Sequence, residues 1–429
     1  MANPMLEALH GMLWSKGIRI GKLSGTGRTV AAMLNRADTV PFPGSQMHDH
    51  CMTVARVPAR KFYYDARILF DVQNAVQRWY GMDGCTVVTD VYNFEVEALG
   101  AKFIYSDNAM PTVDTDHPLI SGPQDLAKMK PLDPSKGRVP MAVELAGIIT
   151  KAGGPLLAGG MFCSPFSLMC QAMGYPRSIR ALRKEPQFAR DLFAYIENDV
   201  ILPFVKAQHD GGGAKKATGA DAWSCIPNLT PDMVQEWVIT SALRLKAKGK
   251  ADLDMDVNAG AAAADYCEED PAKFDRALMW RCFDLANQLQ FLGTGKMAFM
   301  GMGRTQDWDP HWVQDYALSD GPGKKALIYA GLNGRFLRDS KPMEIAAKVR
   351  QWIDIMGREG KLAVAGSNIP ADTPPVNVFT AVHAAHTYGR WPIAQNLEAV
   401  PFQIPQFSPF DKWLQLQPEE EIIRKAREK

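Results

Sequence analysis

The sequence predicts an α/β fold, a (β/α)8 TIM barrel with an N-terminal helical extension and a C-terminal strap. Three observations carry that expectation. Short, continuously apolar runs alternate with amphipathic helices, as in parallel strands buried on both faces. Helices of the second half open on a short polar residue followed by proline and close on glycine. No GxGxxG follows a strand and no GxxxxGK(S/T) occurs, which weighs against an open doubly wound sheet built around a nucleotide.

Taken in order, residues 1–36 read as the helical extension, with helix signal around Ala31–Leu34. They are expected to cover the barrel or join a homodimer contact. Candidate strands follow near 38–45, 84–90, 155–161, 214–222, 296–302, 325–331 and 361–366. An eighth fits near 252–258 or 311–323. The capping pairs are Ser164-Pro165, Thr230-Pro231, Asp270-Pro271, Asp309-Pro310 and Thr373-Pro374, and the closing glycines are Gly174, Gly249, Gly293, Gly357 and Gly389. From Pro342 to Met356 one face carries Ile345, Val349, Trp352, Ile353 and Met356. From Pro271 to Leu292 it carries Phe274, Leu278, Cys282, Leu285, Leu289 and Leu292. Glycines 211–213 read as a turn after a long helix. The barrel is expected over 37–390. Residues 391–429 form the strap, with Pro401, Pro405 and Pro409 among Phe402, Phe407 and Phe410, and end in an exposed charged helix.

Composition sets the outer limits. A chain of 429 residues with 46% hydrophobic and 22% charged residues is globular and long enough for one elaborated barrel. Lys+Arg 48 against Asp+Glu 47 leaves a net charge of +1, so neither nucleic acid nor an anionic membrane is an expected partner. The seven cysteines (51, 85, 163, 170, 225, 267 and 282) are odd in number and scattered, without a CxxC. That argues for a reducing, cytoplasmic compartment. The uncharged stretch 152–176 is interrupted by Pro155, Pro165 and several glycines, and reads as strand then helix rather than as a membrane span. The 21 methionines exceed ordinary usage, a sign of adaptable core filling or of a plastic binding surface.

Four pieces in order carry a family resemblance. Gly154 to Gly160 (GPLLAGG) with Ser164-Pro165-Phe166-Ser167-Leu168 resembles a strand-end turn of the uroporphyrinogen decarboxylase superfamily. Gly219-Ala220-Asp221 resembles its Gly-Ala-Asp strand end. Gly331-Leu332-Asn333 before Met343-Glu344-Ile345 is similar to its Gly-Asn-Leu segment. Ile369-Pro370, Thr373-Pro374, Asn377-Val378 and Tyr388-Gly389 look like its closing strand and helix. The superfamily contains tetrapyrrole decarboxylases and corrinoid-dependent methyltransferases. The decarboxylases grip substrate carboxylates with paired arginines in the first strand loop. Here Phe42 to Cys51 contains none before Arg56, so the methyltransferase branch is the expectation, in particular enzymes that demethylate methoxylated aromatics. Thiol-acting members hold zinc through His-x-Cys and a later Cys. The corresponding positions are Met300, Met302 and Ser367, and thioether and hydroxyl are poor zinc ligands.

The reaction this implies moves methyl from an aryl methyl ether to the cob(I)alamin of a partner corrinoid protein. The protein has to hold the methyl in line and help a phenolate leave. His48 and His50 after the first strand and Asp90 after the second are the catalytic candidates. Beside that stand other readings: a His that only caps a buried loop, a metal held by His48, Asp49 and His50, or an N-cap role for Asp90. Arg304 and Asp307 are expected at the substrate, Arg304 gripping a carboxylate, unless they pair with each other. Asn333 resembles the family asparagine near the pocket, or is a turn residue before Gly334. Tyr92, Phe162, Trp223 and Trp308 would wall an aromatic pocket, or pack. His383 and His386 read as structural, and nothing basic marks Cys163 as a nucleophile. The rival readings are a tetrapyrrole carboxyl-lyase and a non-catalytic subunit that binds a corrinoid protein.

Overall fold

The computed structural model describes residues 27–90, 92–152, 159–290, 295–321 and 323–428. A small antiparallel hairpin, β1 (Phe103–Ile104) with β2 (Thr112–Val113), precedes six parallel strands. These are β3 (Gly160–Cys163), β4 (Lys216–Ala220), β5 (Asp256–Ala261), β6 (Met297–Met300), β7 (Leu327–Asn333) and β8 (Leu362–Ser367). They form two sheets in the order β3-β4-β5 and β6-β7-β8, with helices on the connections. This is the expected α/β barrel. The eighth strand falls at β5, within reach of the 252–258 alternative, because 311–323 is mostly the helix Pro310–Leu318.

The two earliest expected strands, 38–45 and 84–90, complete the ring without a ladder. Val364 N donates to Pro41 O at 3.0 Å, and Asp83 N donates to Phe42 O at 2.8 Å, so both segments sit in strand position. Pro41 and Pro43 remove two of the donors a ladder would use. Side-chain amides take over the missing bonds. Gln77 Oε1 accepts from Ser45 N and Thr86 N, both at 3.0 Å, while its Nε2 donates to Thr86 O at 2.8 Å. Gln73 pairs with Val88 in the same two-ended way (3.1 and 2.8 Å), and Gln208 with Met161 (2.9 and 2.8 Å). A buried amide that satisfies both groups of one residue does locally what a neighbouring strand would do. Gly44 permits the approach: a Cβ there would stand 2.3 Å from Thr86 N.

The capping grammar holds in part. Thr230 and Asp309 accept from Met233 N and His311 N. Asp270 caps only the single turn Pro271–Lys273, and Asp275 caps the following helix Arg276–Asn287. Ser164 Oγ accepts from Gly260 N at 3.0 Å, tying β3 to β5 rather than capping. The last barrel helix starts at Pro375, one residue beyond the Thr373-Pro374 pair. Gly174 closes its helix with φ +79°, but Gly249 lies inside Thr240–Leu253, where a Cβ would meet Val257 at 2.3 Å. Residues 1–26, 153–158 and 291–294 lie outside the described residues. They include most of the N-terminal extension, part of the 155–161 strand and of the Gly154–Gly160 run, Leu292 and Gly293. The helix Gly27–Met33 does stand in front of the barrel segments, with Arg28 bonded to buried Asp83 at 2.6 Å. His386 bonds the same carboxylate at 2.6 Å, and His383 lies against Phe402. In the strap, Phe407 stacks on Phe379 at 4.2 Å and, with Phe410, meets Trp79 edge-on. Among the described residues no helix is long and apolar enough to cross a membrane.

Candidate active site

The ring encloses a cavity of about 700 Å³. TIM barrels usually fill their interior with layers of branched side chains. Here Gly160, Thr218, Gly260, Ala261 and Ala363 line it instead, and the volume they vacate is open. Six methionines project onto it (Met33, Met47, Met110, Met161, Met297 and Met302), together with Tyr92, Tyr266, Phe283, Phe299 and Tyr329. Part of the methionine excess is therefore pocket wall, an apolar and adjustable one.

The strand period explains which of the β6 methionines take part. Met297 and Phe299 face the cavity, whereas Ala298 and Met300 point outward into the fully buried core. Met302, beyond the strand end, returns to the cavity, and its Sδ accepts from Asn368 Nδ2 at 2.8 Å. Ser367 does not line it. The three positions that correspond to zinc ligands thus offer two thioethers on different faces and a hydroxyl outside the cavity. Among the described residues no three His, Cys, Asp or Glu side chains converge as a metal would need. Zinc does not fit here.

At the mouth, three polar side chains form a relay. The segment 38–47 delivers the chain to the helix His48–Ala55, whose first residues face the cavity. Tyr63 arrives from the turn after the next short helix, Ala59–Phe62. Its hydroxyl donates to Asp49 Oδ1 at 2.5 Å, which leaves its oxygen to accept from His48 Nδ1, also at 2.5 Å. Burial works against ionisation of Asp49, but His48, Tyr63 and the Met110 amide outweigh it and hold the carboxyl below its ordinary value. Burial and then Asp49 push the Tyr63 phenol upward, so the phenol keeps its proton. With Nδ1 occupied, Nε2 is the His48 nitrogen left for a substrate. The Asp49 carboxylate lies 3.7 Å from the same Nδ1.

His50 is turned the other way. It is fully buried, with Nε2 on the Tyr80 hydroxyl at 2.7 Å and Nδ1 on Pro370 O at 3.2 Å. Burial drops its pKa to about 4. The pair His48/His50 therefore does not converge on a metal. Asp90 is spent on Arg138, which bridges it bidentately at 2.9 and 2.7 Å and also reaches Glu97 and Tyr63 O. Phe162 packs in the core against Gly219, and Trp223 is half-exposed, stacked on Tyr175 at 5.5 Å. Arg304 pairs with Asp307 at 2.6 Å on the outer loop and donates to Glu269 O. Asn333 caps the helix Gly334–Asp339 and donates to Gly303 O at 2.6 Å. Trp308 is buried against Tyr266, and Cys163 is a fully buried thiol whose pKa burial pushes well up. Asp221, at the Gly-Ala-Asp strand end, accepts from Ser167 N and Oγ at 2.9 and 2.7 Å, and burial lifts it to about 7. Of the site residues read from sequence, the structure brings His48 and Tyr92 to the cavity.

Three residues that sequence reasoning passed over belong there as well. Tyr63 completes the relay, yet no spacing relates it to His48. Asp265 and Tyr266 follow β5, the strand whose Ala- and Gly-rich sequence carries the weakest strand signal. Asp265 lines the cavity and its Oδ2 has no hydrogen-bond partner. No Lys or Arg lines the cavity among the described residues.

A hollow parallel barrel with a histidine relay at its mouth is an architecture of the TIM-barrel class. The chain belongs to the uroporphyrinogen decarboxylase (URO-D) family, whose pattern matches residues 35–388. Among 32 solved chains that match is a methyltransferase from Methanosarcina mazei. It superposes with a TM-score of 0.61 at 16% identity, over 84% of this chain and 98% of that one. At this identity the likeness is one of fold. No curated protein matches the chain.

Proposed function

We propose that the protein is a methyltransferase that takes methyl from a methoxylated aromatic compound and passes it to the cob(I)alamin of a partner corrinoid protein. The observation that carries this is the cavity wall: thioethers, aromatic rings and small residues, one imidazole relay, and no Lys or Arg among the described residues. A tetrapyrrole with many carboxylates would be desolvated there with no Lys or Arg among the described lining residues to pair with, a prohibitive cost. An aryl methyl ether is neutral and flat, and suits an apolar, aromatic pocket of this volume. The family and the fold shared with a methyltransferase support the same reading.

The reduced corrinoid supplies the nucleophile, so activation of the attacker is not asked of this chain. Its residues position the donor and manage one proton. The methyl carbon–oxygen bond breaks as the methyl–cobalt bond forms, and the electron pair stays on the phenolic oxygen. His48 Nε2–H delivers a proton to that oxygen. Tyr63 and Asp49 orient the ring through Nδ1. Solvent then returns the proton to Nε2. Zinc has no part in this scheme.

The test is direct. Protein incubated anaerobically with reduced cobalamin and a panel of methoxylated aromatics should produce methylcobalamin and the matching phenol in equal amounts. If no donor in a broad panel yields methylcobalamin, either free or on a corrinoid protein, the reading is wrong.

A further inference from the structure

We infer that the donor is an uncharged methoxylated phenol, and that Asp265 selects it by hydrogen-bonding the ring hydroxyl. This rests on the methyl-transfer reading for the fate of the methoxy group, while the binding site itself is argued from the cavity alone. Only 7% of Asp265 is exposed, on the wall after β5. Its main chain is clamped: Ile226 N donates to Asp265 O at 2.8 Å and Cys267 N to Ile226 O at 2.6 Å. The side chain is thus presented from a fixed backbone, yet Oδ2 meets no donor or acceptor. Proteins rarely leave such an atom unpaired, because an unsatisfied buried polar group costs about 1–3 kcal/mol. The residue itself lines the cavity, so a ligand hydroxyl brought against this carboxyl would give it a partner that the chain does not.

The charge balance of the cavity points the same way. Its acidic side chains among the described residues are Asp49 and Asp265, and apart from the His48 ring, which Tyr63 and Asp49 hold, no basic side chain faces them. Arg304, the residue the sequence offers for a substrate carboxylate, is held outside by Asp307 and Glu269 O. Arg138 is consumed by Asp90 and Glu97. A methoxybenzoate would therefore bury an unpaired carboxylate beside two carboxyl groups. Burial pushes the Asp265 carboxyl well above its ordinary value, which keeps it protonated and able both to donate to a phenol oxygen and to accept from its hydroxyl. Tyr92, Tyr266, Phe283 and Phe299 provide faces and edges for the ring.

Calorimetric binding to the full chain without cobalamin separates this from the reaction. Near neutral pH, 2-methoxyphenol should bind at least tenfold more tightly than 2-methoxybenzoate or phenyltrimethylammonium. Asp265→Leu should weaken 2-methoxyphenol about tenfold while leaving methoxybenzene, which lacks the hydroxyl, unchanged. Asp265→Asn should stay within about threefold of the parent for both. Unchanged methoxybenzene binding also certifies that the leucine variant is folded. The inference is overturned if the benzoate or the ammonium binds as well as the phenol. Equal phenol affinity in Asp265→Leu and the parent overturns it too. If the binding preference holds but no methylcobalamin forms, it is the methyl-transfer reading that falls.

Discussion

The two acidic walls of the cavity treat the same functional group in opposite ways. Asp49, after the first barrel segment, receives a phenol hydroxyl and sits beside an imidazole, and is held ionised. Asp265, after β5, has no partner at Oδ2 and is pushed by burial toward its neutral form. Residue type does not distinguish them; surroundings do. On the proposed reading the first wall carries charge and moves a proton, and the second recognises a neutral ligand. Active sites that need both an ionised and a protonated carboxyl at one pH are built by such a difference in partners.

The largest effect should come from removing the proton carrier of the first wall. His48→Asn should lower kcat for methyl transfer by about 10² to 10⁴ with little change in donor affinity, since general acid catalysis contributes on that scale. Single-turnover methylcobalamin formation measures it. A loss in binding as large as the loss in rate would assign His48 to the recognition wall and collapse the contrast. His50, two residues along the same helix, sharpens it differently. Its folded pKa of about 4 lies below the ordinary 6.5, so the unfolded chain takes up the proton first as pH falls. Its contribution to stability is therefore complete above pH 6.5 and is lost on acidification toward pH 4, by up to about 3 kcal/mol. His50→Asn should flatten that limb of a denaturation-versus-pH curve. An unchanged slope would mean that burial is not what keeps this ring neutral.

How much of this could be read beforehand follows from which interactions are local. The strands β4 and β6 to β8, and the helix starts at Thr230 and Asp309, were legible because apolar runs and capping pairs are neighbours in sequence. The segments 38–45 and 84–90 were legible as strand positions, but their lack of a ladder was not. What replaces their ladder is Gln73 and Gln77, two amides on the buried face of the helix Ala66–Trp79. Their polarity on that face is the signal that could have betrayed them. His48 and Tyr92 were legible as residues following strand positions. Tyr63 was not, since only folding brings it 2.5 Å from His48, and Asp265 was missed together with the boundaries of its strand. The resemblance to the family marked where zinc ligands would stand, but it did not carry the alternation along β6 that turns Met300 away from the cavity.

A smaller effect belongs to Tyr63. Tyr63→Phe removes the link between Asp49 and His48 while leaving both catalytic partners in place, so kcat should fall about tenfold, the worth of one good buried hydrogen bond. KM should hold, because the lost group orients His48 and does not touch the donor. A rise in KM with kcat intact would move Tyr63 to the recognition side.

The smallest effect tests where the site ends. Arg304 is the one cation that sequence reasoning placed at the substrate, and the structure places it on the rim, 40% exposed at its side chain and paired with Asp307. Exposed pairs of this kind contribute about 0–1 kcal/mol, and neither wall of the cavity leans on this one. Arg304→Ala should therefore leave kcat/KM within about twofold for a methoxyphenol. The informative comparison is the same variant with a methoxybenzoate. If Arg304 swings inward when an anion binds, the loss will be confined to that donor and will exceed tenfold, and the cavity would then own a cation that its resting geometry keeps outside. Equal, small effects on both donors would leave Arg304 outside the site and recognition to the two carboxyl walls.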